Sequence, residues 1–246
     1  IVALGVLLDR YTSVFSKDAW DVGHCKTLPF SIKLKPGAQP MQKRPYRYSP
    51  LVERKLNVEI DKFLALGVVS WSKSNWGSPV VCIARKNGNV RVTCDYRSLN
   101  AQTVIPAVPF PHIDTILNSL GGSKYYTIAD LTQGYFGVAI EEESIPLAAF
   151  VTSFGLFEWL RCPQGASGAP GAFVTLMQIV LRGLKKVEAF LDDIISHSGI
   201  AEGHVAGLKA LFDRLREHDL KLSPSKVHIA MLEVKLLGHQ VSAEGV

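Results

Sequence analysis

The sequence predicts an α+β fold. Three observations carry that reading. Strand-like runs of β-branched and aromatic residues interleave with amphipathic helical stretches, several of those runs are joined by very short loops as hairpins, and apolar residues make up 47% of the 246, enough for a substantial core.

The apolar opening from Ile1 to Leu8 is far too short to span a membrane and ends at Asp9-Arg10. It reads as the start of a helix in a piece of a longer polypeptide, and no membrane partner is expected. Residues 22–48 are rich in proline, glycine and basic groups, among them Lys33, Lys35, Pro36, Gly37, Lys43, Arg44 and Arg47, and read as an extended, solvated arm. Ser49 then caps a helix beginning at Pro50, whose stripe of Leu56, Ile60, Phe63 and Leu64 runs to Gly67.

Two strand-like runs, Val80–Lys86 and Asn89–Cys94, flank Asn87-Gly88, a short-range hairpin signal. If Lys86 pairs with Asn89, alternation gathers Val81, Ile83, Val90, Val92 and Cys94 on one face and leaves Lys86 and Arg91 on the other. Two cations on one face suit a triphosphate, and a solvated edge hairpin has the same pattern. Tyr125–Ala129 is a strand leading into Asp130, and Leu131–Tyr135 must turn. A second hairpin joins Ala148–Thr152 to Leu156–Leu160. A helix follows with Phe173, Leu176, Met177, Val180 and Leu184 on one stripe, its end marked by Arg182, Lys185 and Lys186. Val187–Leu191 and Ile194–Ser198 form another hairpin with only Asp192-Asp193 between them. Val205, Leu208, Leu211, Phe212 and Leu215 mark a further helix, and Val234–Ser242 closes as a hairpin centred on Gly238.

Lysine plus arginine exceed aspartate plus glutamate by 27 − 22 = 5, with an isoelectric point near 9.0. That surplus suits a polyanionic partner and equally an ordinary basic protein. Cys25, Cys82, Cys94 and Cys162 are scattered, with no close pair and no histidine at zinc spacing, which predicts reduced, mostly buried thiols and an intracellular setting. No internal repeat is visible.

The carboxylates point to chemistry. Two adjacent acids at the tip of an apolar hairpin are costly unless a cation binds there, and an isolated polar turn would use the same residues. Phosphoryl transfer needs oxygen ligands for Mg²⁺, held on neighbouring strands, so that two ions about 3.5–4 Å apart act on the attacking and leaving oxygens. Asp130 at a strand's end and Asp192-Asp193 in a tight hairpin meet that need if the two strands lie side by side.

Phe190-Leu191-Asp192-Asp193 resembles the tyrosine-apolar-Asp-Asp box of reverse transcriptases, and Asp130–Tyr135 resembles their first metal-binding box. In the family's order stand Arg91–Asn100, Pro163-Gln164-Gly165, Ala169-Pro170 with Phe173, and Leu237-Gly238-His239 with Gly245. The resemblance runs over about residues 25–246 and is nearest to gypsy-class long-terminal-repeat retrotransposons and retroviruses.

It implies fingers over 45–104 and 138–168, a ferredoxin-like palm over 105–137 and 169–246, and an N-terminal extension over 1–44. The implied catalytic acids are Asp130, Asp192 and Asp193, which with the Leu131 carbonyl would hold two Mg²⁺ or Mn²⁺ ions. Lys86, Arg91, Thr132, Gln133, Gly134, Tyr135 and Gln164 would surround the nucleotide, with Tyr135 rejecting a 2′-hydroxyl. Asp95, Arg97, Pro163, Gly165, Phe190, Leu237, Gly238 and His239 would contact template or primer.

The implied activity is RNA-directed DNA polymerisation from deoxynucleoside triphosphates on an RNA or DNA template annealed to a primer, in the cytoplasm, in virus-like particles or in the nucleus. The rival reading is a catalytically silent nucleic-acid-binding or scaffold remnant; an RNA-templated RNA polymerase is disfavoured by bulky Tyr135. Phe190 stands where tyrosine is usual, Gly168 where asparagine is, Cys94 where valine is, and Leu147-Ala148 where Lys-Thr is common; Lys226 lacks the cysteine that usually follows. None of these removes a metal ligand. Protease, thumb, connection, ribonuclease H and integrase regions would belong to the full polyprotein, and without a thumb template-primer binding is expected to be weak and salt-sensitive.

Overall fold

The computed structural model describes residues 2–85 and 88–245. Lys86 and Asn87 lie outside the described residues. Along the chain run α1 (Val2–Arg10), β1 (Cys25–Phe30), α2 (Pro50–Ala65), β2 (Val69–Trp71), β3 (Ser78–Ala84), β4 (Val90–Cys94) and α3 (Arg97–Ala101). Next come α4 (Ile113–Ser119), β5 (Tyr125–Asp130), β6 (Val138–Ile140), β7 (Phe150–Thr152), β8 (Gly155–Trp159) and α5 (Ala169–Val180). The last elements are β9 (Val187–Phe190), β10 (Asp193–Ser198), α6 (Ala201–Glu217), β11 (His228–Met231), β12 (Glu233–Leu236) and β13 (His239–Ser242). Mixed sheets with helices bear out the α+β class. Among the described residues no helix is long and apolar enough to cross a membrane.

The chain divides into two compact units, one made of Ile1–Thr27, Val108–Gly137 and Phe173–Val246, the other of Leu28–Ala107 and Val138–Ala172. Residues 1–44 are therefore shared between them.

The first unit is built on a sheet of order β11-β5-β10-β9. Residues 194–197 of β10 are buried, as a central strand covered on both faces must be. Against one face α6 lays Leu208, Leu211, Phe212 and Leu215, each at 0% exposure, spaced three and four apart as an amphipathic stripe requires. Against the other, Tyr126 and Ile195 join Ile116, Leu117 and Leu120 from the α4 region and Val234, Leu236 and Val241 of the β12–β13 hairpin in one cluster. That hairpin turns at Leu237 (φ +48) and Gly238 (φ +89), the paired left-handed conformation of a two-residue turn.

Helix α5 buries Phe173, Leu176, Met177 and Val180 as its stripe predicts, but it stops at Val180, short of Leu184 and the basic residues expected to close it. The physical reason is a tertiary cap. Arg214 of α6 donates through Nη1 to the carbonyls of Val180 at 2.7 Å and Arg182 at 3.2 Å, satisfying end groups the helix cannot satisfy itself.

The second unit carries a sheet of order β2-β8-β7-β3-β4, parallel only between β3 and β7. Helix α2 starts at Pro50 after Ser49 and buries Leu56, Ile60 and Phe63, the last 5.4 Å from the Trp159 ring. The Trp159 indole donates to Cys94 Sγ at 3.4 Å. Cys25, Cys94 and Cys162 are buried and Cys82 is half-buried, all as free thiols. Burial pushes the Cys94 thiol up to about 12, so it is inert at neutral pH.

The β3–β4 register differs by one residue from the expected one. Val80 pairs with Cys94, Cys82 with Val92 and Ala84 with Val90, while Arg85 N–H donates to Asn89 at 2.8 Å. The turn thus has three residues rather than two, with Gly88 at φ +81, the left-handed position that closes such loops. One extra loop residue exchanges the faces of β3 relative to β4. Val81 and Ile83 therefore lie with Arg91 rather than with buried Val90, Val92 and Cys94, and Ile83 is 47% exposed.

In the first unit His197 is 2% exposed, its Nδ1 2.8 Å from Ser123 Oγ. Burial first, then the charges of Lys186 and His204, lower its pKa from 6.5 to about 4. The folded protein keeps this ring neutral while the unfolded chain protonates below pH 6.5, so stability is full above that value and falls as pH drops toward 4. We expect this group to remove about 2 kcal/mol between pH 7.5 and pH 5. Urea midpoints should fall over that range, and His197→Gln should flatten the slope; an equal slope in the variant would remove the histidine from the account.

Candidate active site

The β5–β10 pairing sets the geometry. Asp193 lies directly opposite Asp130, with Ile195 opposite Ile128 behind them. Residues opposite one another in an antiparallel pair project from the same face with Cβ atoms about 4.5–5.5 Å apart, so the two carboxylates share one side of the sheet end.

On its other edge β10 pairs with β9, Phe190 opposite Asp193, which leaves Leu191-Asp192 as the turn. Leu191 takes φ +54, a left-handed value uncommon for a branched apolar residue. Asp192 and Asp193 therefore do not share the hairpin tip as expected: Asp192 is in the turn and Asp193 opens the strand. The turn is tied to β5 by Leu131 N–H, which donates to the Asp192 carbonyl at 3.3 Å.

The electrostatics follow from this crowding. Asp192 Oδ1 is buried with no hydrogen-bond partner among the described residues. Burial foremost, then the negative charges of Asp130 and Asp193, raise the Asp192 carboxyl to about 6, while Lys226 works the other way. Burial and then Asp130 also raise Asp193. The compensating charge is Lys226, whose Nζ donates to both oxygens of Asp130 at 2.9 and 3.0 Å. Sequence reasoning missed this role: Lys226 sits in a proline-led turn, Pro224–Lys226, with no periodicity to reveal its target. A cleft of about 480 Å³ opens beside these groups, lined by Asp130, Asp193, Lys226 and His228 together with Ile128, Met231 and Val234.

Gly134 is closely packed here. A Cβ at that position would stand 3.0 Å from the Phe173 ring and 3.1 Å from Asp192 Oδ1. Tyr135 beside it rests on Phe173 with ring centroids 5.2 Å apart. The side chains of Thr132 and Gln133 turn to the N-terminal segment, Thr132 donating to Ser16 Oγ at 2.9 Å and Gln133 to the Ala19 carbonyl. Phe190 and Leu237 pack on the core cluster, and exposed His239 follows Gly238.

The remaining predicted residues belong to the second unit. Arg91 donates through Nε and Nη2 to Gln164 Oε1 at 3.1 and 2.5 Å. Arg97 grips Asp95 through Nε and Nη2 at 2.8 and 2.6 Å, and Tyr46 OH donates to the same carboxylate at 2.6 Å, which together hold its pKa well below the usual range. Gly165, at φ +101, brings its backbone so close to Cys94 that a Cβ would stand 2.9 Å from that carbonyl oxygen, and it lies beside buried Pro163. Lys86 lies outside the described residues.

As candidate metal ligands the acids supply oxygens only, the donor type for Mg²⁺ or Mn²⁺. Among the described residues no three histidine, cysteine, aspartate or glutamate groups are clustered closely enough to hold a metal by themselves. Mg²⁺ commonly takes one or two carboxylates and completes its shell with water and substrate phosphate, and the unpartnered Asp192 Oδ1 fits such an ion.

This chain belongs to the reverse transcriptase (RNA-dependent DNA polymerase) family, whose model matches residues 83–241, a span that includes Asp130, Asp192 and Asp193. It is 33% identical over 214 residues to the retrovirus-related Pol polyprotein from transposon 297 of Drosophila melanogaster, covering 84% of this chain and 20% of that one. To the Pro-Pol polyprotein of feline foamy virus it is 31% identical over 240 residues, covering 97% and 21%. The chain thus spans about a fifth of the length of the curated relatives it matches. Among solved structures it is similar to the foamy viral protease-reverse transcriptase in complex with double-stranded DNA, with a TM-score of 0.90 at 26% identity over 98% of this chain and 43% of that one. The resemblance drawn from the two aspartate boxes is borne out at the level of family and fold.

Asp192 also predicts a stability effect. Its carboxyl rises from 3.8 to about 6 on folding, so its destabilising effect is absent below pH 3.8, grows through that interval and is complete above pH 6. In metal-free buffer at pH 7.5, Asp192→Asn should stabilise the fold by about 1–2 kcal/mol, discounted for partial solvent access. A urea midpoint at or below wild type would count against a strained carboxylate.

Proposed function

We propose that this chain is the catalytic core of an RNA-directed DNA polymerase that adds deoxynucleotides to a primer 3′-hydroxyl. The single observation that carries the reading is Asp130 opposite Asp193, with Asp192 in the adjoining turn, its Oδ1 without a hydrogen-bond partner among the described residues. Like charges directly opposite one another cost stability, and a fold that keeps them is explained by a cationic ligand.

In this reading the first unit is the palm and the second supplies the fingers. Asp130, Asp192, Asp193 and the Leu131 carbonyl would hold two Mg²⁺ or Mn²⁺ ions, which activate the attacking oxygen and stabilise departing pyrophosphate. Arg91, its fork oriented by Gln164, would hold the triphosphate together with Lys86. Tyr135, steadied on Phe173, would bar the 2′-hydroxyl of a ribonucleotide. Asp95 and Arg97 with Pro163 and Gly165 would line the template, while Phe190 and the β12–β13 turn at Leu237-Gly238-His239 would face the primer. The foamy viral relative solved with an RNA/DNA hybrid has a TM-score of 0.89 at 25% identity over 98% of this chain and 32% of that one, which supports a hybrid as partner. The relatives are Pol and Pro-Pol polyproteins, which supports a core that acts within a longer polyprotein; in this reading its setting is the cytoplasm, a virus-like particle or the nucleus.

Extension of a labelled primer on an RNA template tests the proposal. Wild type should extend it, and Asp192→Asn with Asp193→Asn should lose more than the roughly 10- to 100-fold that removing an outer-shell partner of a metal costs. Equal signals from the two proteins would end the enzymatic reading and leave a silent nucleic-acid-binding module.

Tyr135→Ala should admit ribonucleoside triphosphates that wild type rejects. Unchanged sugar discrimination would take the gate away from Tyr135.

A further inference from the structure

Within the first unit, residues 13–22 run alongside the turn that follows Asp130. Leu222 bridges to Phe15 on one side and to Leu131 on the other. Ser16 N–H donates to the Leu222 carbonyl at 2.9 Å, Leu222 N–H to the Val14 carbonyl at 2.8 Å, and Thr132 N–H to the Lys221 carbonyl at 2.8 Å. The Lys221-Leu222 backbone thus joins the N-terminal segment to the turn.

Four further contacts pass directly between them. Thr132 donates to Ser16 Oγ at 2.9 Å with both residues buried, and the Gln133 side-chain amide donates to the Ala19 carbonyl. The Trp20 and Phe136 rings lie 6.2 Å apart, and the Val22 carbonyl oxygen stands 2.7 Å from where a Cβ on Gly137 would be. These contacts, at 132, 133, 136 and 137, flank Gly134-Tyr135 on both sides. Gln133 takes φ +45, a left-handed value that a residue with a side chain keeps only where its surroundings hold it. The segment has its own fold at that point: exposed Asp18 accepts through Oδ1 from Trp20 N–H at 2.7 Å and Asp21 N–H at 3.1 Å, which shapes the backbone around the Ala19 carbonyl.

We propose that residues 16–20 are a strap that positions Tyr135 for sugar selection, with Gln133 and Asp18 as positioning residues that act through the turn. The inference rests on the polymerase reading and on Tyr135 as its gate. Phe173 steadies the Tyr135 ring, while the backbone at Gln133 sets where that ring starts from. Small displacements of a positioned group are costly in selective chemistry, so a turn released from the strap lets the ring recede and admits a 2′-hydroxyl.

The test measures kcat/KM for a deoxynucleoside and a ribonucleoside triphosphate in primer extension by wild type, Gln133→Leu, Asp18→Ala and Asp18→Asn, with hydrogen exchange at the Phe136 amide, which donates to the Gln133 carbonyl at 2.8 Å. Leucine keeps the bulk of glutamine and loses the donor; asparagine keeps the acceptor that alanine lacks. We expect Gln133→Leu and Asp18→Ala each to lower the deoxy-to-ribo ratio about three- to tenfold, the scale of one hydrogen bond, and to quicken exchange at Phe136. Asp18→Asn should restore both readouts. A loss of folded protein scales both substrates alike and leaves the ratio unmoved, so an unchanged ratio in Asp18→Ala overturns the strap. A ratio that falls in Gln133→Leu alone also overturns it and makes Gln133 a direct nucleotide contact, as does a fallen ratio with unaltered exchange. If wild type extends no primer, or Tyr135→Ala keeps full discrimination, the reading underneath fails; an effective Tyr135→Ala beside an indifferent Asp18→Ala rejects this inference alone.

Discussion

The antiparallel pairing of β5 with β10 is the constraint on which the rest of the site depends. It brings residues far apart in sequence into register and sets Asp130 against Asp193. An isolated ladder would not tolerate that juxtaposition, because facing like charges repel and half-buried carboxylates lose hydration. The sheet holds because its middle is anchored from both sides, by the leucine and phenylalanine stripe of α6 and by the cluster around Ile116, Tyr126 and Val234. Apolar burial in the centre thus sustains electrostatic strain at the end. Lys226 relieves part of that strain at Asp130, and among the described residues no hydrogen bond reaches Asp192 Oδ1.

Two of the perturbed titrating groups of this unit act in opposite directions. The neutral, buried His197 favours the fold toward higher pH, whereas the raised Asp192 carboxyl favours it toward lower pH. Their causes differ as well. His197 is a core residue with one satisfied nitrogen, and Asp192 is a turn residue whose Oδ1 is buried without a hydrogen-bond partner among the described residues. Sites that trade stability for function carry this second signature.

Much of the architecture was legible in the sequence where physical rules act locally. The α2 start at Pro50, the Leu237-Gly238 turn, the α6 stripe and the strand leading into Asp130 all follow from proline's fit to a first helical turn, turn chemistry or periodicity, whereas the expected side-chain cap from Ser49 is not formed. What escaped local rules was decided by tertiary partners or by a single residue of loop length. Asn87-Gly88 fits a two-residue turn and a three-residue one, and the choice reversed which residues of β3 look inward. The end of α5 was set by an arginine from α6, invisible from its own stripe. At the site, the acids were recognisable as residues, but the division of Asp192 to the turn and Asp193 to the strand needed the β9–β10 register, and the Lys226 contact needed coordinates.

The interleaving of the two units along the chain bears on how the protein is made. The first unit draws on three stretches of sequence and the second on two. Strand β5 leaves the ribosome long before β10, which begins at residue 193, and at ordinary elongation speeds that gap lasts on the order of several seconds. Throughout it both edges of β5 lack the strands, β10 and β11, that pair with them in the finished sheet. A nascent chain of this topology carries those open edges until the later strands are made, and until then they are templates for pairing with another chain.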